Sequence, residues 1–178
     1  MQKRENAVTF KGSPMTLIGP KLQPGDKAPE FQCVNGPTAA NVVKLSDTPA
    51  KARLFSVVPS LDTGVCSIQT RKFDTAVGEL KDKVATYTFS LDLPFAQKRF
   101  CSDDKHPVTN LVTLSDVHNH SFGQNYGVLL EGLALPLLTR AVFVVDAKGT
   151  VTYAEYVAEV TSEPNYDAAI AALKAVIV

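Results

Sequence analysis

The sequence predicts an α/β fold in which helices cover a central mixed β-sheet. Two largely apolar runs, residues 54–58, which contain one serine, and residues 141–145, are typical of central strands that are buried on both faces. Strand-like and helix-like segments alternate along the chain, and hairpin-like segments occur near both ends. A length of 178 residues fits one domain, so we expect residues 1–178 to form a single domain.

The predicted strands rest on apolar runs, alternation and flanking turn residues. Residues 8–19 are predicted to form an N-terminal β-hairpin around Gly12-Ser13-Pro14. Residues 84–91 alternate and are rich in β-forming residues, and the turn at residues 146–149 separates the last two strands. The other predicted strands are 31–34, 42–45, 54–58, 112–115, 141–145 and 151–157.

The predicted helices rest on helical spacing and on proline as a helix-starting residue. Residues 67–80 carry apolar side chains at close to helical spacing. Pro94 and Pro164 each precede a helix-like segment, and the second of these segments is rich in alanine. The predicted helices are 67–80, 95–100, 121–126 and 165–176.

Composition and charge exclude several functional classes. The chain has 18 basic and 18 acidic residues, and this zero net charge argues against nucleic acid and against a polybasic membrane contact. No run of about 18 apolar residues is present, so no transmembrane helix is expected. Residues 1–12 lack the apolar core of a signal peptide, which predicts a cytoplasmic protein.

The segment Pro-Ser-Leu-Asp-Thr-Gly-Val-Cys, residues 59–66, carries most of the functional information. It connects the predicted strand 54–58 to the predicted helix 67–80 and places Cys66 in the first helical turn. The N–H groups and partial positive charge of a helix N-terminus favour a thiolate there. Asp62 and Thr63 are residue types that favour a helix N-cap. Cys66 is therefore a candidate nucleophile, although a small buried cysteine at a helix start would give the same local pattern.

The other cysteines and the histidines give weaker signals. Three cysteines in a cytoplasmic chain favour reactive or buried thiols over a disulfide framework. Cys33 lies in a predicted strand and is interpreted as a structural thiol. No Cys-x-x-Cys motif occurs, which argues against a general disulfide oxidoreductase. His118 and His120 could be adjacent metal ligands, but no third ligand has a clear spacing, so no metal is expected.

The pattern Pro59-x-x-x-Thr63-x-x-Cys66 resembles the active-site signature of the peroxiredoxins, which are thiol peroxidases of the thioredoxin fold. Further blocks resemble the atypical two-cysteine thiol peroxidase branch, and together they cover nearly the whole chain. These blocks are Asp62–Cys66 with Arg71-Lys72-Phe73, Ser90–Cys101, Arg140–Val144 and Glu163-Pro164-x-Tyr166. Gly64 replaces the proline of many peroxiredoxins, which this branch accepts, and His118 stands where many relatives have arginine.

This resemblance implies a thioredoxin-like fold and an antioxidant peroxidase. It assigns Cys66 as the peroxidatic cysteine and Cys101 as the resolving cysteine, joined after oxidation by an intramolecular disulfide. It further implies hydrogen peroxide or organic hydroperoxides as substrates, thioredoxin as the reductant, a homodimer, and no metal, haem or flavin. If each cysteine lies on its own helix, both segments must partly unwind, because a disulfide requires Cα atoms within about 7 Å.

Fast peroxide reduction requires more than a thiolate. Because nucleophilicity falls with basicity, a helix N-terminus gives a net rate gain of only about a few-fold. The site must also stabilise the departing oxygen. The resemblance places Thr63 and Arg140 in this role, since a hydroxyl can accept and donate and a guanidinium is a fixed, charged fork of donors. Pro59 lacks an N–H and is expected to shield the sulfur. An N-cap for Thr63 and a strand-end salt bridge for Arg140 are the simpler alternatives.

Two other functional classes remain open from the residues alone. A redox sensor would use the same oxidation of Cys66 but pass the signal to a bound partner instead of turning over with a reductant. A thioredoxin-like scaffold that only binds partners would keep its function without Cys66. Peroxide consumption with a reductant separates these alternatives from a peroxidase.

Overall fold

The computed structural model describes residues 1–36 and 38–178 and has a thioredoxin-like α/β architecture. The strands are β1 (Lys3–Phe10), β2 (Ser13–Ile18), β3 (Gln32–Asn35), β4 (Asn41–Lys44), β5 (Ala52–Val57), β6 (Val84–Ser90), β7 (Val112–Ser115), β8 (Leu129–Glu131), β9 (Leu137–Leu138), β10 (Ala141–Val145) and β11 (Val151–Tyr156). The α-helices are α1 (Gly64–Val77), α2 (Pro94–Cys101), α3 (Ser121–Asn125) and α4 (Tyr166–Ala175).

The main sheet is mixed, as the sequence predicts. Its strand order is β11-β10-β5-β6-β7-β3-β4. The strands β5, β6 and β7 are parallel, and the remaining neighbours pair antiparallel. Every residue of β5 and β10 is buried, which explains why β10 is wholly apolar and why β5 is apolar apart from Arg53 and Ser56. The carboxyl end of β5 leads directly into the loop before α1.

A second, smaller sheet has the order β1-β2-β8-β9. The N-terminal hairpin is longer than predicted, because β1 begins at Lys3 and contains an irregularity between Arg4 and Val8. Neither β8 nor β9 was predicted, since strands of three and two residues are too short to show a period. Val8 of β1 and Leu17 of β2 form an apolar cluster of their own together with Val160.

The two faces of the main sheet carry separate apolar clusters. An aromatic cluster that includes Phe31, Phe55 and Phe122 covers one face. The other face packs against α1 and α4 and includes Phe73 and Leu173. Cys33 belongs to the first cluster, whereas Cys66 and Cys101 belong to or pack against the second.

The observed helices differ from the predicted ones mainly at their ends. The helix α1 begins three residues earlier than predicted, at Gly64, and ends at Val77 before a 3-10 turn over residues 78–80. The helix α2 includes Pro94 in its first turn and Cys101 as its last residue. Within residues 1–36 and 38–178, no helix is long and apolar enough to cross a membrane.

Candidate active site

Cys66 is the third residue of α1, and its side chain is fully buried. Thr63 is the N-cap residue with an extended backbone, and its carbonyl accepts the Ser67 N–H at 3.0 Å. The N–H groups of the three residues between them therefore have no intrahelical acceptor. These donors and the helix dipole make the surroundings of the Cys66 sulfur favourable for negative charge.

Arg140 is 2% exposed and lies between β9 and β10. Its Nη2 donates to the Cys66 sulfur at 3.3 Å, and its Nε donates to the Val160 carbonyl oxygen at 2.8 Å. Its Nη1 donates to Oε1 of Gln69 at 2.7 Å. The hydrogen-bond acceptors of this guanidinium are thus a carbonyl, an amide oxygen and the sulfur, and none of them is a carboxylate. The salt-bridge alternative for Arg140 does not describe this geometry.

Gln69 is a buried part of the site that sequence reasoning missed. Besides accepting from Arg140, its Nε2 donates to the Ser56 hydroxyl at 2.8 Å, which ties the guanidinium to strand β5. Gln69 lies three residues after Cys66, on the same face of α1. A polar residue at that spacing on the buried face was the signal that could have identified it.

The Thr63 hydroxyl does not cap the helix. It donates to the Ser60 carbonyl oxygen at 3.0 Å instead, so its oxygen keeps lone pairs available as acceptors. Thr63 is exposed, whereas Pro59 is buried. Both residues line the same cavity as Cys66 and Arg140.

This cavity has a volume of about 410 Å³ and mostly apolar walls. Cys66 and Arg140 line it together with Thr63, and Lys11 and Thr161 are among its polar residues. The small sheet forms part of the wall, because Phe10 of β1 and Leu137 of β9 line it. Its apolar lining residues are Phe10, Pro59, Val65, Leu137 and Val160.

Cys101 lies apart from this cavity. Its sulfur donates weakly to the Thr113 hydroxyl at 3.9 Å, and it lines a different cavity of about 310 Å³ together with Leu111 and Gln97. Burial raises the pKa of the Cys101 thiol above its ordinary value, so the thiol is neutral here. Neither Cys66 nor Cys101 forms a disulfide in this conformation. The structure thus brings together Cys66, Thr63, Arg140 and Pro59 of the residues chosen from sequence, and not Cys101.

Cys33 is fully buried on the opposite face of the sheet. Its S–H donates to Oδ1 of Asp116 at 3.6 Å. Burial, together with the charge of Asp116, raises the pKa of this thiol far above its ordinary value. Asp116 itself accepts the N–H groups of Phe122 and Gly123 at 3.0 and 2.8 Å, at the start of α3. These contacts fit a structural thiol.

Comparisons with known proteins agree with this fold. The model of the Redoxin family matches residues 23–170. A thiol peroxidase from Halalkalibacterium halodurans is 50% identical over 169 residues, which are 95% of this chain and 98% of that protein. A thiol peroxidase from Listeria innocua is 50% identical over 167 residues, covering 94% and 97%. The crystal structure of a peroxiredoxin-like protein from Aquifex aeolicus matches with a TM-score of 0.87 at 38% identity, covering 97% of this chain and 98% of that one.

The chain therefore belongs to the redoxin family. Within that family it is a peroxiredoxin of the thiol peroxidase type. The family, the thioredoxin-like fold and the enzyme class predicted from the sequence are confirmed.

Proposed function

We propose that this thiol peroxidase reduces hydrogen peroxide and organic hydroperoxides through a sulfenic acid on Cys66. The observation that carries the proposal is the contact of 3.3 Å between the buried Arg140 guanidinium and the Cys66 sulfur. A buried cation is costly unless a negative group lies next to it. None of the hydrogen-bond acceptors of Arg140 is a carboxylate, so a thiolate on Cys66 supplies negative charge at hydrogen-bonding distance from it, and the charge of Arg140 also acts on Glu163.

In the first step, the Cys66 thiolate attacks the terminal oxygen of the peroxide. The S–O bond forms as the O–O bond breaks, which gives Cys66–SOH and an alkoxide or hydroxide that takes a proton from water. Arg140 and the N–H groups of the first turn of α1 stabilise the charge on the departing oxygen. The Thr63 oxygen accepts the peroxide O–H and so orients the peroxide, while Pro59 shields the sulfur from water.

The walls of the cavity support organic hydroperoxides as substrates. Phe10, Leu137 and Val160 offer an apolar surface to an alkyl group beside the sulfur. Burial of each CH₂ group of a substrate there contributes about 0.8 kcal/mol. Hydrogen peroxide needs only the polar groups around Cys66, so both classes of peroxide fit the site.

In the second step, Cys101 condenses with the Cys66 sulfenic acid. The Cys101 sulfur displaces the hydroxyl group, which gives an intramolecular disulfide and one water molecule. Because the two sulfurs line different cavities, the first turn of α1 and the end of α2 must unwind locally. Unwinding of α2 also returns the Cys101 thiol to water, where it deprotonates more readily.

A dithiol donor then reduces the disulfide, and we propose thioredoxin for this step. A homodimer is also proposed; Leu93 and Phe95 at the start of α2 are 55% and 54% exposed, which an interface would cover. A cytoplasmic location and a single domain over residues 1–178 stay predictions.

The test is peroxide consumption in the presence of thioredoxin, thioredoxin reductase and NADPH. We expect turnover for the wild type, none for Cys66→Ser, and one peroxide per chain without recycling for Cys101→Ser. Mass spectrometry after one equivalent of peroxide should find a Cys66–Cys101 bond within one chain. Turnover by Cys66→Ser would exclude the first step. A disulfide between chains would exclude intramolecular resolution, and oxidation without turnover would identify a sensor.

A further inference from the structure

We infer that Asp92 is a positioning residue that controls the division of the Cys66 sulfenic acid between two products, the disulfide and the overoxidised sulfinic acid. This inference rests on the proposed two-cysteine mechanism. Asp92 lies between the end of β6 and the start of α2, the helix that carries Cys101. Its side chain contacts the loop that leads into α1, the helix that carries Cys66. One carboxylate thus joins the two segments that must rearrange for the disulfide to form.

The contacts of this carboxylate are specific. Oδ1 accepts from the Ser60 hydroxyl at 2.7 Å, and Oδ2 accepts from the Leu61 N–H at 2.8 Å. Oδ2 also accepts from the Ser90 hydroxyl at 2.7 Å. Hydrogen bonds to a carboxylate are about twice as strong as those between neutral groups. Asp92 therefore holds the Ser60–Leu61 segment against the end of β6.

Further contacts extend the connection into α2. The buried Gln97 donates from Nε2 to the Ser90 hydroxyl oxygen at 3.0 Å, so α2 bonds to the same group that donates to Asp92. The Ser115 hydroxyl donates to the Asp92 carbonyl oxygen at 2.6 Å, which fixes the Asp92 backbone against β7. An exposed ion pair between Asp62 and Arg99 joins the same two segments, but exposed pairs contribute little.

The consequence is a competition between two fates of the sulfenic acid. While the segment 60–61 is held, Cys66 stays beside Arg140, where a second peroxide can oxidise Cys66–SOH to the sulfinic acid and leave as an alcohol or water. When the segment is released, Cys66 can reach Cys101, and the disulfide forms with loss of water. Asp92 stabilises the arrangement that reacts with peroxide and thereby slows resolution.

The experiment measures the peroxide concentration at which half of Cys66 becomes sulfinic acid in one turnover, by mass spectrometry of quenched samples. Asp92→Ala removes both carboxylate oxygens, and we expect this concentration to rise on the order of tenfold, which corresponds to about 1.4 kcal/mol. The single-turnover rate of peroxide reduction should fall in the same variant. Asp92→Asn should restore both values to within about threefold, since its amide oxygen can face Leu61 and Ser90 while its N–H faces the Ser60 oxygen.

The matched control is Asp146→Ala. Oδ1 of Asp146 also accepts two loop N–H groups, from Lys148 and Thr150, but at the far end of β10 from Arg140. This variant should leave the division unchanged. Ser60→Ala removes one donor to Asp92 and should shift the division in the same direction by about threefold or less, even if Asp92→Ala folds poorly.

The outcomes separate the inference from the mechanism on which it rests. A wild type that forms no Cys66–Cys101 disulfide would overturn the proposed function. If the wild type forms the disulfide, and Asp92→Ala and Ser60→Ala show the same division between disulfide and sulfinic acid as the wild type, only the role of Asp92 is overturned. An equal shift in Asp146→Ala, or no rescue by Asp92→Asn, would also overturn it.

Discussion

Arg140→Lys separates the charge of this buried residue from its shape. Lysine keeps one positive charge, but a single ammonium cannot reproduce the planar fork of the guanidinium. Arg140 uses three different nitrogens to reach Val160, Gln69 and Cys66. A lysine ammonium at this position loses at least one of these contacts and no longer holds the others in a fixed plane. The substitution therefore tests whether the geometry of the fork matters for the reaction.

The expected loss in rate follows from the contact of Nη2 with the sulfur. Removal of one donor that stabilises a developing negative charge typically costs about 10²–10³-fold in kcat, or about 2.7–4 kcal/mol. We expect kcat/KM for peroxide to fall by this factor in Arg140→Lys. The free energy of unfolding should fall by about 3 kcal/mol, since hydrogen bonds of a charged group to Gln69 or Val160 contribute about 1.5–3 kcal/mol each.

Arg53→Lys is the matched control for this substitution. Arg53 is 5% exposed, and its Nη1 and Nη2 donate to the Thr48 hydroxyl at 3.0 Å and to the Asp146 carbonyl oxygen at 2.6 Å. Arg53 pairs with Val145, and Val57 pairs with Ala141 at the other end of the same two strands, which is the end near the active site. The four residues from Val57 to Arg53 span roughly 13 Å along β5.

Both variants are assayed for initial peroxide consumption and for chemical unfolding. Arg53→Lys should lose a similar unfolding free energy but keep its kcat/KM within about twofold of the wild type, since its change is structural alone. A kcat/KM of Arg140→Lys within tenfold of the wild type, or an equal loss in Arg53→Lys, would refute the catalytic role of the fork.

Two further predictions concern the other cysteines. Burial raises the pKa of the Cys101 thiol, so its thiolate becomes accessible only as α2 unwinds; the rate of disulfide formation should rise as the pH increases towards about 8.5, the ordinary pKa of an exposed thiol. Quenched mass spectrometry across this pH range measures that rate, and a rate that falls with increasing pH would contradict the assignment. Cys33→Ser should keep peroxidase activity within about twofold, because a hydroxyl can donate to Asp116 as the thiol does. Loss of turnover in steady-state assays of this variant would give Cys33 a redox role.

The parts of the fold that local patterns specify were predictable. Residues of β5 and β10 are buried on both faces, so their composition alone indicates central strands. The strands β8 and β9 were missed because their existence depends on pairing with β2 and with each other, not on their own sequence. Their omission mattered for the site, since Leu137 of β9 forms part of the cavity wall.

The site was predictable to the extent that its residues are local to Cys66. The helix start and the position of Thr63 as the N-cap follow from the sequence pattern, but the bond of the Thr63 hydroxyl to Ser60 does not. Arg140 lies 74 residues from Cys66, and only the family resemblance suggested that the two meet. The spacing of Gln69 from Cys66 could have marked it as a buried polar residue, but its bond to Arg140 depends on that same long-range approach and does not follow from the local sequence.

In the proposed mechanism, the separation of Cys66 from Cys101 follows from what each step requires. The first step needs the sulfur fixed beside Arg140 within bonding distance, because a preorganised donor stabilises charge only when its position is fixed. The second step needs the same sulfur to leave that position. A site held more firmly would gain in the first step and lose in the second. Placing Cys66 at the end of a helix resolves this conflict: the first turn of a helix can open without breaking β5 or the core behind it, since helix ends open at a lower free energy than the whole fold.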